Sequence, residues 1–107
     1  MKHEYKIYQL DPNKGNVKRD HKMYESWEML NKTAGFSMWE YRLVWEDELD
    51  LEEDKVTNDE ILEHLFNMFN VAHPKNYHGR SMSTSDVVEL DGVKYYCDSI
   101  GWVKTNL

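Results

Sequence analysis

Alternating apolar and polar positions predict β-strands near the beginning, in the middle and near the end of this chain. Residues 5–10 alternate and are followed by the turn-forming sequence DPNKG at 11–15. Residues 38–45 show the strongest alternation in the chain, which is typical of a half-buried strand. The bulky residues at every second position of this segment are Trp39, Tyr41, Leu43 and Trp45. We expect all four to face the helices of the domain.

A β-hairpin is predicted in the last quarter of the chain. Residues 86–90 and 93–97 have strand patterns and are joined by Asp91-Gly92, a pair that favours the type I′ turn of a two-residue hairpin. Residues 101–103, with the sequence GWV, can add a last short strand. We therefore expect two or three strands to follow one another here without a helix between them.

Two other segments carry apolar residues at helical spacing. The first helix is predicted over residues 20–32, with Asp20 as its N-terminal cap. The second is predicted over residues 57–70, beginning with a capping box in which Thr57 caps the helix and Glu60 reaches back. The apolar faces consist of Met23, Trp27 and Leu30 in the first helix and of Ile61, Leu62, Leu65, Phe66 and Phe69 in the second.

The order of these elements, β-α-β-α-β-β with a further short strand, indicates the fold class. The chain has 107 residues, which suffices for one domain with a modest core. We predict a small α+β domain spanning residues 1–107, in which both helices pack on one face of a mainly antiparallel sheet.

The net charge of −7 is concentrated in one segment. Residues 46–60 contain nine acids and one lysine, a charge of −8, so the other 92 residues sum to +1. This balance disfavours general DNA binding, which depends on Lys and Arg neutralising phosphates, and favours a partner with a basic surface. The candidate partner-binding acids are Glu46, Asp47, Glu48, Asp50, Glu52, Glu53 and Asp54. A mildly basic cluster lies earlier, at Lys14, Lys18, Arg19 and Lys22.

The acidic segment has a plain and a functional interpretation. In the plain one it is a solvated, solubilising loop. In the functional one its carboxylates, spaced along a loop and the start of the second helix, mimic nucleic acid and occupy a basic groove, with Leu49 and Leu51 seated as anchors. A calcium-binding loop is disfavoured, because the glycine needed for its sharp turn is missing from the segment.

The segment from Gly79 to Asp86 admits three interpretations. It can be a structural loop in which Asp86 fixes the start of the hairpin. It can be an anion or partner site in which Arg80 binds a carboxylate or phosphate. A hydrolase centre would need a serine activated by His78 and Asp86, and no oxyanion or nucleophile-elbow signature supports it. The candidate residues of this loop are His78, Arg80, Ser81, Ser83 and Asp86.

No metal or cofactor site is predicted. The spacing of His64, His73, His78 and Cys97 matches no zinc module, and no phosphate-binding or dinucleotide fingerprint occurs. The single cysteine excludes an internal disulfide and suits a reducing cytoplasm. With neither a membrane span nor a signal peptide in the pattern, we expect a cytoplasmic protein.

Several short motifs in the last third of the chain fit a known family. They are Phe69-Asn70, His73-Pro74, Tyr77, Gly79-Arg80-Ser81, Ser83-Thr84-Ser85-Asp86-Val87-Val88, Tyr95-Tyr96 and Gly101-Trp102. In these motifs the chain resembles the YodL-like domains, small modules of Gram-positive bacteria, their phages and conjugative elements. The resemblance covers residues 60–103 and a strand at 5–8, whereas residues 11–57 have no position-by-position match. It implies no particular biochemical activity.

Together, the charge pattern and the resemblance suggest a function. We expect a non-enzymatic protein-binding module encoded by a mobile element, which inhibits a host defence nuclease of CRISPR or restriction type through the acidic segment. Its partner would be a host protein with a basic surface, and direct binding of nucleic acid or membrane is not expected. The alternative is a regulatory or ligand-sensing domain that binds a host protein or a small anion through residues 79–86.

Overall fold

The computed structural model describes residues 2–15, 17–18, 22–52 and 56–105. The strands are β1 (Lys2–Leu10), β2 (Tyr41–Asp50), β3 (Val87–Leu90), β4 (Val93–Cys97) and β5 (Trp102–Lys104), and the helices are α1 (Trp27–Lys32) and α2 (Asn58–Val71). A short 3₁₀ turn, Met38–Glu40, precedes β2. The predicted α+β class and the predicted order of elements are confirmed.

The strands form one antiparallel sheet in the order β2-β1-β3-β4-β5. Strand β1 therefore lies inside the sheet, and β2 and β5 form its two edges. The turn between β3 and β4 has positive φ at both central residues, 49° at Asp91 and 87° at Gly92, as the predicted type I′ turn requires.

The two helices pack against opposite faces of the sheet. Neighbouring residues of β4 show this, because Tyr95 accepts a hydrogen bond from Asn58 of α2, at 2.9 Å, whereas the ring of Tyr96 packs 5.0 Å from that of Trp27 on α1. The prediction that both helices share one face is wrong. Helices cover both faces because the central strands carry apolar side chains on both sides. Such a pattern fits a sheet buried on both faces and not one with a solvent-exposed face.

The larger core lies between the sheet and α2. The predicted capping box at Thr57 and Glu60 is present, and it fixes the start of the helix. The buried face of α2 packs against side chains of β1, β3 and β4. The buried members of this cluster are Tyr5, Ile7, Ile61, Leu62, Leu65, Phe69, Tyr77, Met82, Val88, Leu90 and Tyr95.

The first helix is shorter than the apolar spacing predicts. It begins at Trp27, and the side chain of Ser26 caps it by accepting a hydrogen bond from the Met29 N–H at 3.2 Å. Tyr24 has a φ of 68°, a left-handed conformation that a continuous right-handed helix cannot contain. The predicted cap at Asp20 lies outside the described residues. A smaller core, centred on Leu30 and Tyr96, lies beneath this helix.

Strand β2 differs in two ways from the predicted strand at 38–45. It starts three residues later and continues to Asp50. It also contains an extra residue, Val44, because Ile7 pairs with Trp45 while Tyr8 pairs with Leu43. Such a bulge moves the following side chains to the other face of the sheet.

The prediction that four bulky residues face the helices is right for Tyr41 and Trp45, which lie beneath different helices, and wrong for the other two. Tyr41 is buried in the cluster beneath α1, whereas Trp45 packs against the cluster beneath α2. Trp39 and Leu43 contribute to neither core, with exposures of 66% and 47%. The bulge and the 3₁₀ turn break the regular alternation on which the prediction depended.

Candidate functional site

The acidic segment is a strand over its first half, although the sequence indicates a loop. Glu46, Asp47, Glu48 and Asp50 are all exposed residues of β2, the edge strand. We call residues 46–50 the acidic strand segment. Of the other predicted acids, Glu52 is exposed, and Glu53 and Asp54 lie outside the described residues.

Pairing with β1 distributes these acids over both faces of the sheet. Asp47 lies opposite Tyr5, and its neighbours Glu46 and Glu48 lie opposite Lys6 and Glu4. The intervening Leu49 and also Leu51 pack against the core beneath α2. The expectation that these two leucines serve as partner anchors is therefore wrong, because their side chains are already used in the core.

The acids border a groove of about 360 Å³ on the face of the sheet that α1 leaves open. Its charged lining consists of the acids Glu4, Glu46, Asp47, Glu48 and Glu89 and the base Lys6. Lys6 lies 3.8 Å from the Glu89 carboxylate, and Lys2 lies 3.7 Å from that of Glu48. The lysines thus offset part of the negative charge, and the groove remains acidic.

The loop residues occupy a different end of the sheet. Asp86 is 1% exposed, and its Oδ2 accepts hydrogen bonds from Gln9 Nε2 at 3.1 Å and from the Ser83 N–H at 3.0 Å. Burial raises the pKa of the Asp86 carboxyl to about 7, although the two hydrogen bonds and the nearby Arg80 favour its charged form. The carboxyl thus closes the turn that leads into β3, as the structural interpretation expects.

Arg80 is tied to the chain itself. Its N–H donates to Gln9 Oε1 at 3.0 Å, and its guanidinium Nη2 donates to the Leu10 carbonyl at 3.1 Å. Its own carbonyl accepts from Gln9 Nε2 at 2.9 Å and from the Tyr77 hydroxyl. These contacts hold the loop against the end of β1.

Gln9 is the residue that joins this network, and sequence reasoning missed it. Its side chain is fully buried and bonds to Arg80 and Asp86. The sequence does contain a signal: Gln9 occupies an inward position of β1, where Tyr5 and Ile7 come before it. A buried side-chain amide needs hydrogen-bond partners, so such a position predicts a polar network.

The proposed hydrolase residues are not assembled. His78 and Ser81 are exposed, and within the described part of the chain His78 makes no hydrogen bond with Ser81, Ser83 or Asp86. His78 instead borders a separate groove of about 220 Å³ beside Arg42 and Leu43. The loop brings together Arg80, Ser83 and Asp86, with His78 and Ser81 outside the network.

Comparison with known proteins agrees with the motifs of the last third. The family model described as YodL-like domain matches residues 4–107. The chain belongs to the YodL-like domain family. The match extends over the middle of the chain, which the motifs alone leave unassigned. No curated protein and no solved structure matches this YodL-like domain.

The basic cluster of the YodL-like domain is partly a structural feature. Lys22 and Glu40 are 5% and 6% exposed and form a buried ion pair. Lys22 Nζ also donates to the Gly35 carbonyl at 3.1 Å, and Lys14 Nζ donates to the Tyr41 carbonyl at 3.0 Å. Both lysines lie between β1 and α1, and they hold this connection against the residues before and at the start of β2. Arg19 lies outside the described residues.

Metal ligands do not cluster in the described ranges of this YodL-like domain. No group of three or more His, Cys, Asp or Glu residues there has a geometry that could hold a metal ion. Cys97 is buried, and this burial raises the pKa of its thiol to about 12. Within the same described ranges, no helix is long and apolar enough to cross a membrane.

Proposed function

We propose that this YodL-like domain is a non-enzymatic protein-binding module that occupies a basic surface of a partner through its acidic strand segment. We further propose that the partner is a host defence nuclease of CRISPR or restriction type, met in the bacterial cytoplasm. The observation that carries the proposal is that exposed acids lie on an edge strand. Pairing with β1 already orders the backbone that carries these acids, so binding costs side-chain entropy but little backbone entropy.

The spacing of the charges supports mimicry of nucleic acid. Glu46, Asp47 and Glu48 are consecutive strand residues, and a strand advances about 3.4 Å per residue. One strand of B-form DNA carries one phosphate charge about every 3.4 Å along the axis. The linear charge density of the segment is therefore close to that of one DNA strand, although successive carboxylates point to opposite faces.

The contacts of the loop favour the acidic strand segment over residues 79–86 as the binding surface. Asp86 and Arg80 bond to the chain's own Gln9, Ser83 and Leu10. An anion would have to compete with these bonds. We therefore place the ligand-sensing alternative second.

The proposal is tested by reversing charges at the acidic strand segment. Glu46→Lys/Glu48→Lys is compared with Glu28→Lys/Asp59→Lys, which changes the net charge equally at exposed helical positions. Partners are captured from a host-cell lysate, identified by mass spectrometry and purified, and the complex is then re-formed. Binding of each variant is measured across a salt series, with and without competing DNA.

The expected result is a loss of affinity of at least about 10-fold for the strand variant and of less than about 3-fold for the helical control, since charge complementarity acts locally. Added salt should weaken the parent complex, and DNA should compete with it. Equal affinities that do not change with salt or competitor would refute the proposal. Thermal melting of both variants checks that the fold is retained.

A further inference from the structure

At alternate residues of the acidic strand segment, the backbone N–H and C=O groups point sideways, outward from the open edge of the sheet. The Glu4 carbonyl accepts a hydrogen bond from the Asp91 N–H at 2.8 Å, and the Glu4 N–H donates to Asp91 Oδ1 at 2.9 Å, so both backbone groups of Glu4 point toward β3. Because amides alternate in direction along a strand, the amide of Lys6 also points toward β3. Glu46 pairs with Lys6 on the other side. Its N–H and C=O therefore point away from β1, into the space beyond the sheet edge.

Glu48, two residues on, is oriented in the same way. Its N–H donates to Asp47 Oδ1 at 2.8 Å, which satisfies that donor locally. Within the described ranges, the N–H and C=O of Glu46 and the C=O of Glu48 have no hydrogen-bond partner. An incoming strand can thus exchange both backbone hydrogen bonds with Glu46 and donate a further one to Glu48.

We propose that this edge is a strand-addition site, at which an extended basic segment of the partner protein pairs with β2 as a sixth strand. The segment is recognised by backbone hydrogen bonds at Glu46 and Glu48 and by lysine or arginine side chains opposite the carboxylates. This inference rests on the proposed function for its basic partner and specifies how that partner is held.

Charge decides between the possible occupants of the edge. A second copy of this chain would bring its own Glu46, Asp47 and Glu48 against the same residues, and like charges directly opposite one another destabilise a strand pair. A basic strand instead finds opposite charges at each of these positions. Edge strands with charged side chains commonly avoid self-association in this way.

The test uses a fluorescein-labelled peptide of alternating lysine and threonine residues as the probe. Glu46→Pro removes the outward N–H, and Glu46→Gln removes the same charge but keeps that donor. Proline is tolerated where the N–H of an edge strand faces solvent, so the pairing with β1 remains. The fold of each variant is checked by thermal melting, and peptide affinity is measured by fluorescence anisotropy.

We expect Glu46→Pro to weaken peptide binding about 10-fold more than Glu46→Gln, since one backbone hydrogen bond is worth about that factor. Hydrogen exchange at the Glu46 amide of the parent should slow when the peptide binds. A peptide N-methylated at alternate residues should bind weakly, which provides the same test if the proline variant does not fold.

Three results would overturn the inference. If proline and glutamine weaken binding equally and exchange at Glu46 is unchanged, the strand does not add, while the charge-based function stands. If neither variant changes binding, the strand-addition site is refuted, and the charge-reversal experiment described above decides the proposed function separately. If the parent forms a dimer in sedimentation experiments that Glu46→Pro abolishes, the edge belongs to a second copy of the chain.

Discussion

The buried carboxyl of Asp86 predicts that the domain loses stability as the pH rises from about 4 to about 7. The pKa of Asp86 is about 7 in the folded protein, against an ordinary value of 3.8. The folded state therefore holds this proton more tightly than the unfolded state does. The stabilisation from the protonated carboxyl is complete below the lower pKa and is lost as the pH rises through the higher one.

The magnitude follows from the difference between the two pKa values. At about 1.4 kcal/mol for each pH unit, the full loss is about 4 kcal/mol. Asp86→Asn removes the ionisation, and the amide oxygen can accept the same hydrogen bonds from Gln9 and Ser83. The variant should match the parent near pH 4 and exceed it by about 2–4 kcal/mol at pH 8.

The assay is urea denaturation of both proteins at several pH values, followed by tryptophan fluorescence. The difference between the two unfolding free energies isolates Asp86 from the other titrating groups. Asp86→Ala is the control, since it leaves the donors of Gln9 and Ser83 unpaired and should cost about 1–3 kcal/mol even at pH 4. Parallel stability curves for parent and Asp86→Asn, or a relative loss for the Asn variant with rising pH, would refute the reasoning.

Two further predictions concern buried and exposed side chains near β2. Lys22→Met or Glu40→Leu alone should lower the free energy of unfolding, measured by urea denaturation, by about 3–5 kcal/mol, because each leaves a buried charge unpaired. The double variant should recover most of this loss. Additive losses in the double variant would contradict the pairing. Trp39→Ala should cost less than about 1 kcal/mol, since Trp39 is 66% exposed. Trp45→Ala removes a ring packed on the core beneath α2 and should lower the free energy of unfolding by about 3 kcal/mol or more. Equal losses of stability at the two tryptophans would contradict the observed β2 register.

Local sequence signals were sufficient for most of the elements. The capping box at Thr57 and Glu60 and the turn at Asp91-Gly92 depend on neighbouring residues alone, and both occur as predicted. Gly35, which follows α1 with a φ of 80°, obeys an equally local rule, because glycine is the usual left-handed residue after the end of a helix. Such signals need no knowledge of the rest of the fold.

What the sequence could not supply depends on residues far apart in the chain. The bulge at Val44 is defined only by pairing with β1, and it decides which face each side chain of β2 occupies. The role of Gln9 depends on Arg80 and Asp86, more than 70 residues away. Runs of charged residues are usually loops, so the sequence predicts a loop for the acidic strand segment. The strand forms because this segment pairs with residues 2–6, which lie about 40 residues earlier in the chain.

The interior position of β1 has a consequence for how the chain folds. Strand β1 pairs with β2 about 40 residues later and with β3 about 80 residues later. During synthesis β1 emerges before the other strands of the sheet, yet its second neighbour does not exist until residues 87–90 have left the ribosome. Closing loops of this length is entropically costly, so we expect folding in milliseconds to seconds, and only after β3 is available. Until then one edge of β1 stays open, and an unpaired strand edge exposes the nascent chain to aggregation.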